Sequence, residues 1–115
     1  SFPRGLDTEV FSVKVLRRAH KLANKPYERE HVTIFIYEHP ELFKMETVEA
    51  EKSLRRPNYR LCVDVKEDLK LIKEIYRRLY KPNETIDIRN VIRLLDNNPE
   101  LQQINAHVKQ KPPHQ

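Results

Sequence analysis

A chain of 115 residues bounds the answer to one domain with a modest core, and its 38% apolar and 34% charged content suits a folded protein with a heavily charged surface. No apolar run approaches the roughly 20 residues of a membrane span, and one cysteine, Cys62, cannot build a disulfide framework, so a reducing, cytoplasmic setting is expected. The net charge of +5 is spread over several segments and interleaved with acids, which argues against a nucleic-acid footprint.

At the start, Pro3 fixes a turn and Gly5 releases it, and Thr8 to Phe11 suits a short strand. Arg4 is able to hold a carboxylate or phosphate with both arms of its guanidinium, although a Pro-Arg-Gly turn followed by Asp7 and Glu9 is also ordinary surface chemistry. Ser12 is a good N-cap. Beyond it Val15, Leu16, Ala19, Leu22 and Ala23 mark the inner face of a helix that stops near Asn24, before Pro26.

The stretch from Glu28 to Phe43 carries Val32, Ile34, Phe35 and Ile36 almost contiguously, so periodicity leaves strand and helix both open. Arg29, Glu30, His31 and Thr33 form a polar cluster there, whose plain reading is a solvated Arg29–Glu30 pair near the helix start. Phe43 to Val48 alternates like a strand exposed on one face, and the charged run from Glu49 to Asn58 reads as a loop.

Leu61, Cys62 and Val63 read as a strand buried on both faces, entered through Arg60 and left through Asp64. A long amphipathic helix follows, with Leu69, Ile72, Ile75, Tyr76 and Leu79 inward and Glu67 and Asp68 in its first turn. Asp64 and Glu67 have the spacing of a capping box. A further helix, capped by Thr85 or Asp87, turns Ile88, Val91, Ile92 and Leu95 inward. A last short one starts at Asn98-Pro99 and docks through Leu101 and Ile104. Residues 105–115, with two consecutive prolines, read as a flexible basic tail after a body spanning 1–104.

The segment VDVKEDLKLIKEIY (residues 63–76) resembles a signature of the SpsF-like sugar cytidylyltransferases, the spore coat polysaccharide biosynthesis branch. FPRGLDTEVFS, EREHVTIFIYEHPELF and NNPELQQINAHVKQK extend the resemblance over nearly the whole chain. It implies an α/β fold, namely the carboxyl-terminal portion of a nucleotide-diphospho-sugar transferase (Rossmann-like) domain, helix-rich with two or three strands. It also implies that 28–38 is helical, with Ile34 standing where the family usually has proline.

The reaction implied is transfer of a cytidylyl group from CTP to a sugar for surface polysaccharide, with loss of pyrophosphate. In that family an aspartate resembling Asp64 helps hold Mg²⁺, while Arg4, Asp7, Glu9, Arg29, His31, Thr33 and Arg60 fall on the sugar side. Val65 and Lys66 replace the family's threonine and proline, which leaves Asp64 free to cap the helix instead. With Gly5 as its one glycine the chain has no loop able to wrap backbone around phosphates. It is therefore expected to be the carboxyl-terminal half of a longer enzyme, inactive alone. Its partners would be nucleotide triphosphate and sugar, with a homodimer or a separate nucleotide-binding half as further possibilities.

Overall fold

The computed structural model describes residues 1–113 as six helices among loops, divided between two compact units. One unit contains Ser1–Asp7 and Glu49–Lys109; the other contains Thr8–Val48 with the segment from Gln110.

In the second unit the helices are short because each has a local start and stop. Ser12 accepts a hydrogen bond from Val15 N at 3.2 Å and opens α1 (Val13–Leu22). Pro26 stands at the start of α2 (Pro26–Glu30), and the buried Glu28 carboxylate turns back to accept Asn24 N (3.0 Å) and Lys25 N (2.9 Å). Those donors, that of Lys25 first, hold Glu28 below the usual carboxylate range.

The chain then leaves the helix at His31–Thr33 and re-enters it as α3 (Ile34–Glu38). The single helix expected over this stretch is therefore two. Ile34 is the first residue of α3, a position where a proline would be tolerated. Ala19, Ala23, Phe35, Ile36 and Phe43 form the core, with Val15 and Leu42 against it. Phe35 meets Phe43 edge-on at 6.1 Å, and Arg18 lies over the Phe43 ring while donating to Leu42 O at 2.8 Å. Leu22, placed inward by periodicity, lies on the surface.

The first unit is built on α4 (Lys66–Leu79), α5 (Ile88–Asn97) and α6 (Pro99–Gln102). Leu71, Ile75, Val91, Leu95 and Leu101 are its buried centre, flanked by Tyr59, Leu61, Ile72, Leu79 and Ile104 among others. Asp87 caps α5 by accepting Arg89 N at 2.8 Å, and Pro99 is the first residue of α6. On α4 the inward residues are Leu71, Ile72, Ile75 and Leu79, whereas Leu69 and Tyr76 face out.

The loop before α4 is tied down by side chains. Arg56 forks onto Asp96 at 2.9 and 2.6 Å, and Tyr59 donates to the same carboxylate. Arg89 pairs with Glu51 at 3.0 Å, and Ala50 N donates to Ser1 Oγ at 2.7 Å.

The expected strands do not form among the described residues. A strand needs a neighbour to complete its ladder. The run at Leu61–Val63 finds only one, through a parallel bridge between Arg4 and Arg60: Arg4 N donates to Tyr59 O (2.8 Å) and Leu61 N to Arg4 O (2.7 Å). Val63 is exposed rather than buried on two faces. Thr8–Phe11 and Phe43–Val48 carry no ladder, and Val10 and Val48 are 95% and 82% exposed. The expected tail is anchored at its head, since Asn105 is buried; His114 and Gln115 lie outside the described residues.

Gly5 is what permits the bridge. Its φ is 102°, and a Cβ there would stand 2.6 Å from Leu61 O and 2.7 Å from Leu61 C. Both are backbone atoms that cannot swing aside. Gly5→Ala is expected to lower stability by about 1–3 kcal/mol in urea unfolding; a change below roughly 0.3 kcal/mol would show that this contact does not constrain the turn.

Candidate functional site

Arg60 leaves the extended segment and turns into the first unit, 8% exposed. Its Nε donates to Asp68 Oδ1 at 2.8 Å and its Nη2 to Asp68 Oδ2 at 2.9 Å, a two-pronged pair. Nη2 also donates to Asp64 Oδ2 at 2.8 Å. Asp68, wholly buried in the first turn of α4, accepts three further bonds. Two come from the backbone N–H groups of Asp64 (3.0 Å) and Val65 (3.2 Å), and one from Asn105 Nδ2 (2.9 Å). Asn105 Nδ2 donates in addition to Arg60 O at 3.0 Å, which closes the ring of contacts.

This arrangement corrects the expected cap. The helix begins one residue later than the spacing suggested: Val65 is the N-cap and Asp68, not Glu67, is the acid that reaches back. Asp64 is thereby free of capping. Its side chain is 55% exposed, and only Oδ2 is engaged with Arg60.

The electrostatics follow from the same contacts. The Arg60 guanidinium, helped by the backbone donors and Asn105, holds Asp68 far below the usual carboxylate range, and Asp68 in turn raises Arg60. Burial pushes the Cys62 thiol up, so this half-buried sulfur is a poor thiolate.

Cys62, Asp64 and Asp68 bring one possible ligand atom each within 4.8 Å of one another. They do not make a three-ligand magnesium site. The ion wants hard oxygens, the thiol is neither hard nor ionised, and Asp68 already accepts five hydrogen bonds. Asp64 is the one member with an oxygen to offer. That fits Mg²⁺ only as a single ligand within a set completed from elsewhere.

The sugar-side residues fall into separate groups. In the first unit, Arg4 is exposed on the bridge to Arg60, and the Asp7 carboxylate faces Gly5 N at 3.5 Å. In the second unit, Glu9 Oε1 accepts Thr33 Oγ1 at 3.1 Å and Tyr37 Oη at 2.8 Å. Arg29 sets Nη1 3.3 Å from His20 Nδ1 and donates through Nη2 to His20 O at 3.3 Å; its partner is thus His20 and not Glu30. His31 closes α2 through its backbone, with an exposed side chain.

Two participants escaped the sequence reading. Tyr37 lies one helical turn from Thr33, a spacing that would have placed both hydroxyls on one face. Asn105 gave no local signal, since its partners are 37 and 45 positions away.

Compared with curated proteins, the chain is 43% identical over 107 residues to an uncharacterized protein of Methanocaldococcus jannaschii, covering 93% of this chain and 43% of that protein. It is 36% identical over 101 residues to the spore coat polysaccharide biosynthesis protein SpsF of Bacillus subtilis, covering 85% and 41%. The chain therefore spans less than half the length of the curated relatives it matches. No family model and no solved structure matches it. The partial match to SpsF suggests a related family. No helix among the described residues is long and apolar enough to cross a membrane.

Removing one partner of a buried ion pair leaves the other charge uncompensated. Asp68→Ala should cost about 3–5 kcal/mol in urea unfolding, far more than Asp64→Ala, whose carboxylate is half in water. Acid acts through the same group. Folding lowers the Asp68 pKa, so its contribution is complete above the ordinary aspartate value, near pH 4, and is lost as pH falls below it. Thermal melts between about pH 5 and pH 2 should show this loss in the native chain, with a shallower slope in Asp68→Asn. An unchanged slope would exclude Asp68 as the titrating group.

Proposed function

We propose that this chain is the part of a sugar-activating nucleotidyltransferase that supplies a carboxylate at the head of α4. The reaction would be cytidylyl transfer from CTP to a sugar destined for surface polysaccharide. The observation that carries the reading is Asp64, its side chain half exposed and held through one oxygen by the buried Arg60. The resemblance of VDVKEDLKLIKEIY to the cytidylyltransferase signature and the 36% match to SpsF support it.

A magnesium ion held in part by Asp64 would neutralise triphosphate charge and the charge that develops as pyrophosphate departs. Everything else assigned to this chain is positioning. Arg60 does not meet substrate in this reading; it holds Asp64 in one orientation while its own charge is balanced by Asp68. In the second unit Glu9, with the Thr33 and Tyr37 hydroxyls on one of its oxygens, offers the donors and acceptors that sugar hydroxyls require. Arg29 and His31 lend polar reach nearby in sequence. Arg4 and Asp7 of the first unit remain assigned to the acidic or hydroxyl groups of the sugar. The glycine-rich phosphate loop must come from outside these 115 residues, so the chain alone should not turn over CTP.

A graft tests the reading. The matching stretch of Bacillus subtilis SpsF is replaced by this chain, and pyrophosphate release is followed with each nucleoside triphosphate over a panel of sugars. The expected result is release that needs CTP, magnesium and a sugar. Asp64→Asn should lower it on the order of 100-fold, the scale of a lost transition-state electrostatic contact. Release indifferent to Asp64→Asn, or to which nucleotide is present, would contradict the assignment.

A further inference from the structure

Helix α4 has more apolar surface than its own unit uses. With 3.6 residues to a turn, its apolar positions run from Leu71 through Ile75, Leu79 and Ile72 to Val65, Tyr76, Leu69 and Tyr80, an arc of roughly 180°. A helix with one buried face needs only about 100°. The first half of the arc lies in the core with Val91, Leu95 and Leu101. The second half is open: Val65, Leu69, Tyr76 and Tyr80 are between 40% and 56% exposed, with Val63 ahead of them equally bare. Tyr76 and Tyr80 stack on each other at 6.1 Å, which makes a flat aromatic end to the stripe.

The outer border of this stripe is basic. Lys66, Lys70, Lys73 and Arg77 follow next around the helix, and only Arg77 has a carboxylate partner, Glu74. The two curated relatives are more than twice as long as the stretch each shares with this chain, which covers 43% and 41% of them. Scattered exposed apolar residues need no explanation, but an aligned helical band with a charged rim has the anatomy of an interface.

We infer that Val63, Val65, Leu69, Tyr76 and Tyr80 form the docking surface for the polypeptide that corresponds to the remainder of those longer relatives. The occupant presents an apolar helix or sheet face, and acidic side chains where it meets Lys66, Lys70 and Lys73. The inference rests on the reading of this chain as one part of a larger protein, and not on the identity of the reaction. The wide apolar arc then has a single account: α4 is packed from two sides, and one side is contributed by other chain.

The test uses the whole 115-residue chain and, as probe, the stretch of the Methanocaldococcus jannaschii relative that it does not match. The two are co-expressed and purified, and binding is measured by sedimentation and by titration. A one-to-one complex is expected. Leu69→Glu with Tyr76→Glu should weaken it about 100-fold, the scale of losing two central anchors, while circular dichroism and melting of the chain stay as they were. Lys70→Glu with Lys73→Glu should weaken it about tenfold and flatten its salt dependence.

Absence of a complex, or one whose affinity ignores Leu69→Glu with Tyr76→Glu, overturns the proposal. So would self-association of the chain alone that the same variant abolishes, which assigns the stripe to a second copy. Adsorption to phosphatidylglycerol vesicles lost in that variant would assign it to a membrane surface. Because the readout is binding, a failed complex leaves the cytidylyl-transfer assignment to be judged by the graft, and an inactive graft leaves the complex standing.

Discussion

The buried pair of Arg60 and Asp68 is the constraint on which the first unit depends. Two opposite charges out of water are tolerated only when geometry and hydrogen bonding are complete. Here Asp68 accepts five bonds, and no buried side-chain polar atom among the described residues lacks a partner. The cost of leaving either charge alone fixes three remote pieces at once: the extended segment at 59–62, the first turn of α4, and Asn105 beyond α6. Apolar contacts between α4, α5 and α6 supply the bulk of the burial, but they would accept small slides of one helix over another. The ion pair sets the register.

That same knot leaves one acid of the segment half exposed and the other wholly buried. Asp68 spends its whole capacity on Arg60, on the helix start and on Asn105. Asp64 is the residue left over, held through one oxygen by Arg60 with its side chain half exposed. An arginine between two carboxylates would ordinarily argue against a cation site. In this geometry its charge is largely answered by Asp68, and under the proposed reading Asp64 would share its second oxygen with a metal that keeps several waters.

Local signals in the sequence translated directly into structure. The Ser12 and Asp87 caps, Pro99 opening α6 and the inward row Val91, Ile92 and Leu95 all depend on residues within one or two turns of each other. Failures began where the partner lay far along the chain. The apolar run 61–63 promised a strand, but a pleat pattern says nothing about which segment completes the ladder, and only Arg4 does so here. On α4 the periodic pattern chose Leu69 and Tyr76 over Leu71 as core, because nothing in one helix tells which edge of a wide apolar arc its own unit covers. A shift of one residue at the N-cap, from Asp64 to Val65, was enough to exchange Glu67 for Asp68 as the acid that reaches back. Of the candidate site, Arg60, Asp64, Glu9 and Thr33 were legible as residue types in suggestive places. The contacts that join Arg60 to Asp68, and Glu9 to Thr33 and Tyr37, were not, since they cross 8, 24 and 28 positions.

Arg60 and Asp68 are expected to stabilise the unit as a pair and not as two independent side chains. A double-mutant cycle of Arg60→Met and Asp68→Leu, read by urea unfolding, isolates that term. The account predicts a coupling energy approaching about 3 kcal/mol, with the double variant at least as stable as the less stable single. Losses that simply add, within about 0.5 kcal/mol, would contradict it, because each residue would then be acting through its other neighbours.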